Sequence, residues 1–277
     1  MAYIAHKNHT LEQHLMGVAD KAKGFAAKLN LDEQGELIGL LHDLGKYSAE
    51  FQAYIQSATG MINEDEDDYV DSQGKKGKID HSTAGAQLVW RELSKQGKLG
   101  SIVGQILSLC IASHHSGLID CLSSDTDSLG KDVYGKRMSK INERTHLLEV
   151  LVKADASILS RAKELVSNPS MLQAMQAALA KIVRSAPIID DKSTVAQLQI
   201  GLLVRFLFSC LIDADRIDSA DSENPKAAKL RMHGRYPEWN ILCDRIEKYL
   251  VEMKPCKPID RLRSDISIHC QYAALRD

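Results

Sequence analysis

Apolar side chains return every three or four residues along most of this 277-residue chain, and that period constrains the fold more than any other feature. Leu11, Leu15, Val18, Ala22, Phe25, Ala26 and Leu29 share one face of a helix, and Thr10 with Gln13 three positions on has the pattern of a capping box at its start. A second helix is predicted from Asp32 through Leu37, Ile38 and Leu41 to His42. Ser48 reads as the cap of a short helix carrying Phe51, Tyr54 and Ile55. Further helical patterns cover Ser82 to Gln96, Ser101 to Ser113, Lys140 to Val166, Ser170 to Arg184 and Thr194 to Ser219. One more runs to about Met253, and a last one runs from Pro258 to the end. Six prolines and 5% aromatic residues leave little that favours sheet. The predicted class is all-α, a helical bundle with its core over residues 1–223. A C-terminal helical extension is expected over 224–277, where the character changes after Asn224-Pro225. The last helix ends at Leu275-Arg276-Asp277 without a stop signal, which leads us to expect a segment of something longer.

Two polar stretches interrupt the period. Ser57 to Ile79 holds glycines, an acidic run from Glu64 to Asp68 and the cluster Lys75-Lys76-Gly77-Lys78, and Ser116 to Arg137 is the second. Both are expected to be loops, mobile and near the mouth of any site. Lys plus Arg (35) nearly balance Asp plus Glu (37), for a net charge of −2, so no global basic field exists. Contact with nucleic acid would need a local patch or a metal. No run of about eighteen uncharged apolar residues occurs, and the start Met1-Ala2-Tyr3-Ile4 lacks the blocks of a signal peptide. A soluble cytoplasmic protein with no membrane partner is expected. The six cysteines form no C-x-x-C pair, which predicts reduced thiols rather than a disulfide scaffold or zinc ribbon.

The histidines carry the chemical signal. Leu40-Leu41-His42-Asp43-Leu44-Gly45-Lys46 is an apolar helix end that delivers adjacent His and Asp side chains where the backbone bends. Neighbours on a regular helix diverge by about 100°, so these two can share a centre only where the helix ends or where other helices surround them. His14 lies on the Leu11, Leu15, Val18 side of its helix, His81 precedes a helix, and His114 and His115 end an apolar one. Ile212-Asp213-Ala214-Asp215-Arg216 supplies late carboxylates. Buried ionisable groups are costly unless paired or metal-bound, and these helices are otherwise apolar.

This ordered set resembles the HD-domain metal phosphohydrolases. More closely, Leu11-Glu-Gln-His14-Leu, Gly39-Leu-Leu-His42-Asp43-Leu-Gly45-Lys46-Tyr, Asp80-His81-Ser-Thr-Ala-Gly and Ser113-His114-His115-Ser-Gly117 are similar to the HD nuclease domain of the CRISPR-associated nuclease-helicase of type I interference systems. The phrasing, with Asp213-Ala-Asp215-Arg-Ile-Asp218, is nearest to subtype I-C. The resemblance implies that His14, His42, Asp43 and Asp215 hold one divalent ion and that His81, His114 and His115 hold a second, with Asp43 bridging. Asp213 and Asp215 lie about 200° apart on a helix, so only one can serve; the family's Ala-Asp pairing favours Asp215, with Asp213 as the fallback. The donor set suits manganese, iron, cobalt or nickel, with magnesium less favoured.

The implied reaction is phosphodiester hydrolysis on single-stranded DNA, with Asp43 and Lys46 as catalytic residues, Lys46 stabilising phosphate charge or orienting a carboxylate. Its alternative is a helix-end lysine in water. Lys75, Lys76, Lys78, Lys131, Lys136, Arg137 and Lys140 are candidates for the strand's path. The implied partners are a helicase, in the same polypeptide or separate, and a surveillance complex carrying guide RNA. No Gly-Lys-Thr phosphate-binding motif occurs here, so either a stand-alone nuclease subunit or a chain ending ahead of its helicase is expected. Two other readings remain: an HD-type nucleotidase or cyclic-nucleotide phosphodiesterase, and a catalytically silent helical docking module with a structural ion.

Overall fold

A computed structural model describes residues 2–7, 9–60, 79–185, 192–231, 237–253 and 257–274. Fourteen helices and one two-stranded hairpin, β1 (Ile4–His6) with β2 (His9–Thr10), occur among them, which makes the protein an all-α bundle. The chain divides into two compact units, 1–228 and 229–277.

In the first unit, α1 (Leu11–Ala26) starts at the expected capping box: the Gln13 amide donates to Thr10 Oγ1 at 3.2 Å and the Thr10 amide to Gln13 Oε1 at 3.4 Å. α2 (Asp32–Leu41) lies along α1, and α3 (Ala49–Ala58) begins at Ser48, whose hydroxyl accepts from the Phe51 amide. α4 (Thr83–Ser94) and α5 (Gly97–Ser113) form a second intimate pair. α4 crosses α2 so closely that a Cβ on Gly85 would collide with the Leu41 carbonyl oxygen. Only a residue without a side chain permits that crossing, and it sits immediately before His42.

The long pattern over 140–166 breaks into α7 (Asn142–Thr145), α8 (Leu147–Lys153) and α9 (Ala156–Ser167), after α6 (Val133–Met138). His146 adopts a left-handed conformation (φ 55°), with its ring within 2.8 Å of Glu50 and 3.2 Å of Glu149. Asp155 sits in the second break, where it accepts the Tyr47 hydroxyl at 2.6 Å. Partners from distant helices override a continuous helical pattern at both places.

The stretch 116–137 is likewise not a plain loop. A Leu122 to Asp132 bridge closes a turn, α6 occupies its end, and Tyr134 is buried with its hydroxyl 2.6 Å from Ser108 Oγ. Of the other expected loop, residues 61–78 lie outside the described residues.

α10 (Pro169–Ser185) and α11 (Lys192–Glu223) pack on α5, and α11 also runs beside α1 and α2 before α12 (Pro225–Ala228). Although the sequence showed no uncharged apolar span, Thr194–Glu223 is long and apolar enough to cross a membrane by length and composition, despite Arg205. Leu203, Leu207, Leu211 and Ala214 bury its inner face in the bundle core. In the second unit, α13 (Trp239–Glu252) and α14 (Pro258–Ala274) are joined by a Gln271 to Glu247 hydrogen bond. The five cysteines among the described residues are free thiols.

Candidate metal centre

α2 ends at Leu41, and the chain leaves the helix through His42 and Asp43 (φ −109°, ψ 20°) into a single tight turn over Leu44–Tyr47. That turn lets two adjacent side chains point at one place: His42 Nε2 lies 3.2 Å from Asp43 Oδ2. The Gly45 amide donates to the His81 carbonyl oxygen at 3.0 Å, and a Cβ on Gly45 would strike that same oxygen. The segment ahead of α4 is thereby seated against the end of α2. His14 comes from the first turns of α1, His114 and His115 from the end of α5, and Asp215 from α11.

Asp43 is 1% exposed and its two oxygens face two different groups. Oδ2 faces His14 Nε2 at 3.4 Å and His42 Nε2 at 3.2 Å; Asp215 Oδ1 closes this group at 3.4 Å from His14 Nε2 and 3.8 Å from His42 Nε2. Oδ1 faces His114 Nε2 at 3.2 Å, His81 Nε2 at 3.6 Å and His115 Nε2 at 3.9 Å. Asp213 is exposed, so geometry selects Asp215 as the neighbour of the histidines.

Four imidazoles are oriented by their other nitrogen. His42 Nδ1–H donates to the Gly39 carbonyl (2.8 Å), His81 to Ile79 (2.9 Å), His114 to Ile111 (2.7 Å), and His14 to the Asp218 carboxylate (2.9 Å). Each Nε2 is thereby aimed at Asp43, and among the described residues the buried Nε2 atoms of His14 and His42 make no hydrogen bond of good geometry, which leaves them available to an ion. His81 and His115 bring their Nε2 atoms to 2.6 Å of each other. Lone pairs and carboxylates that converge in this way could hold a divalent ion among them. Ligand atoms held about 2.1 Å from one ion at near-tetrahedral angles are about 3.4 Å apart, and the Asp43 oxygens lie 3.2–3.9 Å from the histidine nitrogens that face them. The residues fit divalent ions, with imidazole and carboxylate donors and, among the described residues, no thiolate.

Electrostatics agree with that reading. Burial alone would raise the Asp43 pKa, but Lys46 and His42 outweigh it and hold the carboxyl well below the usual range. Burial would likewise suppress protonation of His42, yet Asp43 and Asp215 override it and push the ring up to about 10. A proton occupies the gap when no ion does. His81 is held down at about 4, chiefly by burial, and stays neutral as a ligand requires.

Lys46 is buried rather than projecting into water: Nζ is 2.7 Å from Asp43 Oδ2 and lies 5.5 Å above the Phe51 ring centre. Phe51 in turn packs on His81. Among the strand-path candidates, Arg137 donates to Ser82 Oγ and Thr83 Oγ1, and Lys140 sits 2.5 Å from Asp80. These two brace the turn that presents His81, while Lys75, Lys76 and Lys78 lie outside the described residues.

Sequence reasoning missed Asp218. It contacts His14 Nδ1 at 2.9 Å and Lys21 Nζ at 2.8 Å, with His9 Nδ1 at 3.7 Å. The signal was present, since Asp215 and Asp218 are three residues apart on one helical face, but nothing local to α11 says what that face meets. His6 was missed too; its ring packs edge-on against His14 at 5.3 Å, and burial with the nearby Lys46 holds its pKa at about 4.

The family model described as Cas3, HD domain, matches residues 8–189, a span that includes His14, His42, Asp43, His81, His114 and His115 but ends before Asp215. No curated protein matches the chain. The matched family is one of metal-dependent phosphohydrolases, and the converging histidines around a two-faced aspartate are what such chemistry requires. This chain belongs to the Cas3 HD-domain family.

Proposed function

We propose that the chain is a metal-dependent nuclease that hydrolyses phosphodiester bonds of single-stranded DNA, using two ions that share Asp43. The observation that carries this reading is the division of Asp43's oxygens between His14, His42 and Asp215 on one side and His81, His114 and His115 on the other. Divalent ions bound there would polarise the phosphoryl oxygens and lower the pKa of water to make the nucleophile. Asp43 has an oxygen for each group, whereas a neutral imidazole offers one lone pair. Lys46 keeps Asp43 ionised and places an ammonium beside the centre, where charge builds on the phosphate. A centre sunk among helix ends admits a flexible strand more readily than a duplex about 20 Å wide, a width well beyond the groove scale of about 12 Å. Manganese, iron, cobalt and nickel suit an imidazole-rich donor set better than magnesium.

The motif phrasing supports placement in subtype I-C. In that setting the partners are a helicase, in the same polypeptide or separate, and a guide-RNA surveillance complex in the cytoplasm.

The test is incubation of wild type and Asp43→Ala with circular single-stranded DNA, with manganese, nickel or cobalt and then with chelator. We expect metal-dependent opening of circles by the wild type and none by the variant. Cutting that survives in Asp43→Ala overturns the mechanism. Hydrolysis of deoxynucleoside triphosphates without cutting of DNA supports a nucleotidase instead, and bound metal without any hydrolysis supports a silent module.

A further inference from the structure

A cavity of about 700 Å³ opens beside the centre, between the hairpin, the last turns of α3 and the end of α11. His6, Lys7, Lys46, Tyr54, Thr59 and Glu223 are among the residues that line it. Two contacts connect it with the histidines. Lys46 lines the cavity while its Nζ touches Asp43 Oδ2, and His6 lines it while its ring packs on His14. Gln52 fixes the walls: its side chain bonds both polar groups of the Ile4 backbone (3.1 and 3.0 Å) and the Lys46 carbonyl (2.8 Å). The hairpin, α3 and the lysine turn are therefore held at one mutual spacing.

Several of the lining groups suit a nucleotide. His6 and Tyr54 are flat rings, Lys7 and Lys46 are cations, and Thr59 offers a hydroxyl, while Glu223 at the edge opposes an anion. Aromatic faces accept any unpaired base, and cations accept its phosphate. Phe51 sets the offset, because it packs on His81 at 4.8 Å and on Tyr54 at 5.9 Å, so Tyr54 stands one ring removed from the centre. The volume lies in the ordinary range of about 300–1,000 Å³ for ligand sites, enough for a nucleotide and far too small for a duplex.

On the reading that single-stranded DNA is the substrate, we propose that this cavity is a subsite for the unpaired nucleotide next to the scissile phosphate, its base against Tyr54 and His6 and its phosphate toward Lys46. The base is held by stacking without readout of its edge, so the subsite tolerates any sequence.

Binding in chelator separates this from catalysis. A short single-stranded oligodeoxynucleotide carrying 2-aminopurine is titrated with wild type, Tyr54→Ala and Tyr54→Phe, following anisotropy and the quenching that stacking produces. We expect quenching by the wild type and by Tyr54→Phe, and loss of quenching with about tenfold weaker binding in Tyr54→Ala, which corresponds to about 1.4 kcal/mol. Unchanged quenching and affinity in Tyr54→Ala overturn the subsite, as does a Tyr54→Phe variant as impaired as Tyr54→Ala. Photocrosslinking of the wild type to an iodouracil-substituted strand needs no variant to fold: adducts on Tyr54 or His6 support the subsite, and adducts only elsewhere overturn it. Wild type that stacks the base but opens no DNA circle leaves a base-stacking site standing and refutes the nuclease reading that makes it a substrate subsite. Wild type that opens circles without quenching does the reverse.

Discussion

Replacing Asp218 with asparagine tests whether the candidate centre extends beyond the side chains that face it. Asp218 is 6% exposed and makes two charge-assisted contacts, 2.9 Å to His14 Nδ1 and 2.8 Å to Lys21 Nζ. Asparagine has the same shape, so its carbonyl can still accept from His14, but Lys21 loses its counter-charge and the imidazole loses the carboxylate that makes Nε2 more basic. Losing one hydrogen bond to a charged group costs about 1.5–3 kcal/mol, and Lys21 is partly solvated, so the lower end applies to metal-free stability. Partners of this kind typically contribute about 10–100-fold in metal affinity, or about 1.4–2.7 kcal/mol. Calorimetric titration of manganese into the metal-free protein, beside urea unfolding of the same samples, measures both. The expected result is weaker binding at one class of site, because Asp218 supports His14 alone among the ligand candidates. Manganese affinity within twofold of wild type, together with reduced stability, would show that Asp218 only ties α1 to α11 and would refute the reasoning.

Other outcomes follow from the same geometry. Lys46→Met removes one of the two cations beside the buried Asp43 carboxylate and, because protonated His42 remains, is expected to destabilise the metal-free protein by about 1.5–3 kcal/mol in urea unfolding, with added manganese recovering much of the loss. Gly85→Ala pushes α4 against the Leu41 carbonyl and is expected to cost about 1–3 kcal/mol and to weaken metal binding through displacement of His42, read by unfolding and titration together. The metal-free protein is expected to be most stable near neutral pH. His6 and His81, held at about 4, make folding less favourable as pH falls below about 6.5, because the unfolded chain takes up protons first. His42, raised to about 10, stabilises the fold fully below about 6.5, and that contribution is lost as pH rises through 10. Thermal unfolding across pH in the presence of chelator measures this, and a flat profile contradicts it. Near pH 8, metal binding should release a proton from His42, seen as a dependence of binding heat on buffer ionisation; no such dependence would place the ion away from His42.

By itself, the sequence determined most of the local elements and several of their caps. The apolar period made helices of 11–26 and 32–41 and the last thirteen residues of 97–113, which was read as starting at Ser101, and Thr10 with Gln13 and Ser48 capped two helices where the spacing said they would. The His42-Asp43 pair at a helix end was legible too, because a bend is the one place where neighbours can converge. Each of these rests on interactions within about four residues. Tertiary structure decided everything that depends on partners far along the chain. Glu50 and Tyr47 lie beside the breaks that divide 140–166 into three helices, and Ser82, Thr83 and Asp80 take Arg137 and Lys140 inward. The choice of Asp215 over Asp213 follows from which face of α11 meets α1, and the partnership of Asp218 with His14 joins residues 204 positions apart. The same holds for Asp43, whose two oxygens turn to different histidines only because four helix ends meet at that point. A helical period states which face is buried; it does not state what that face is buried against, and a metal centre is built from that second fact.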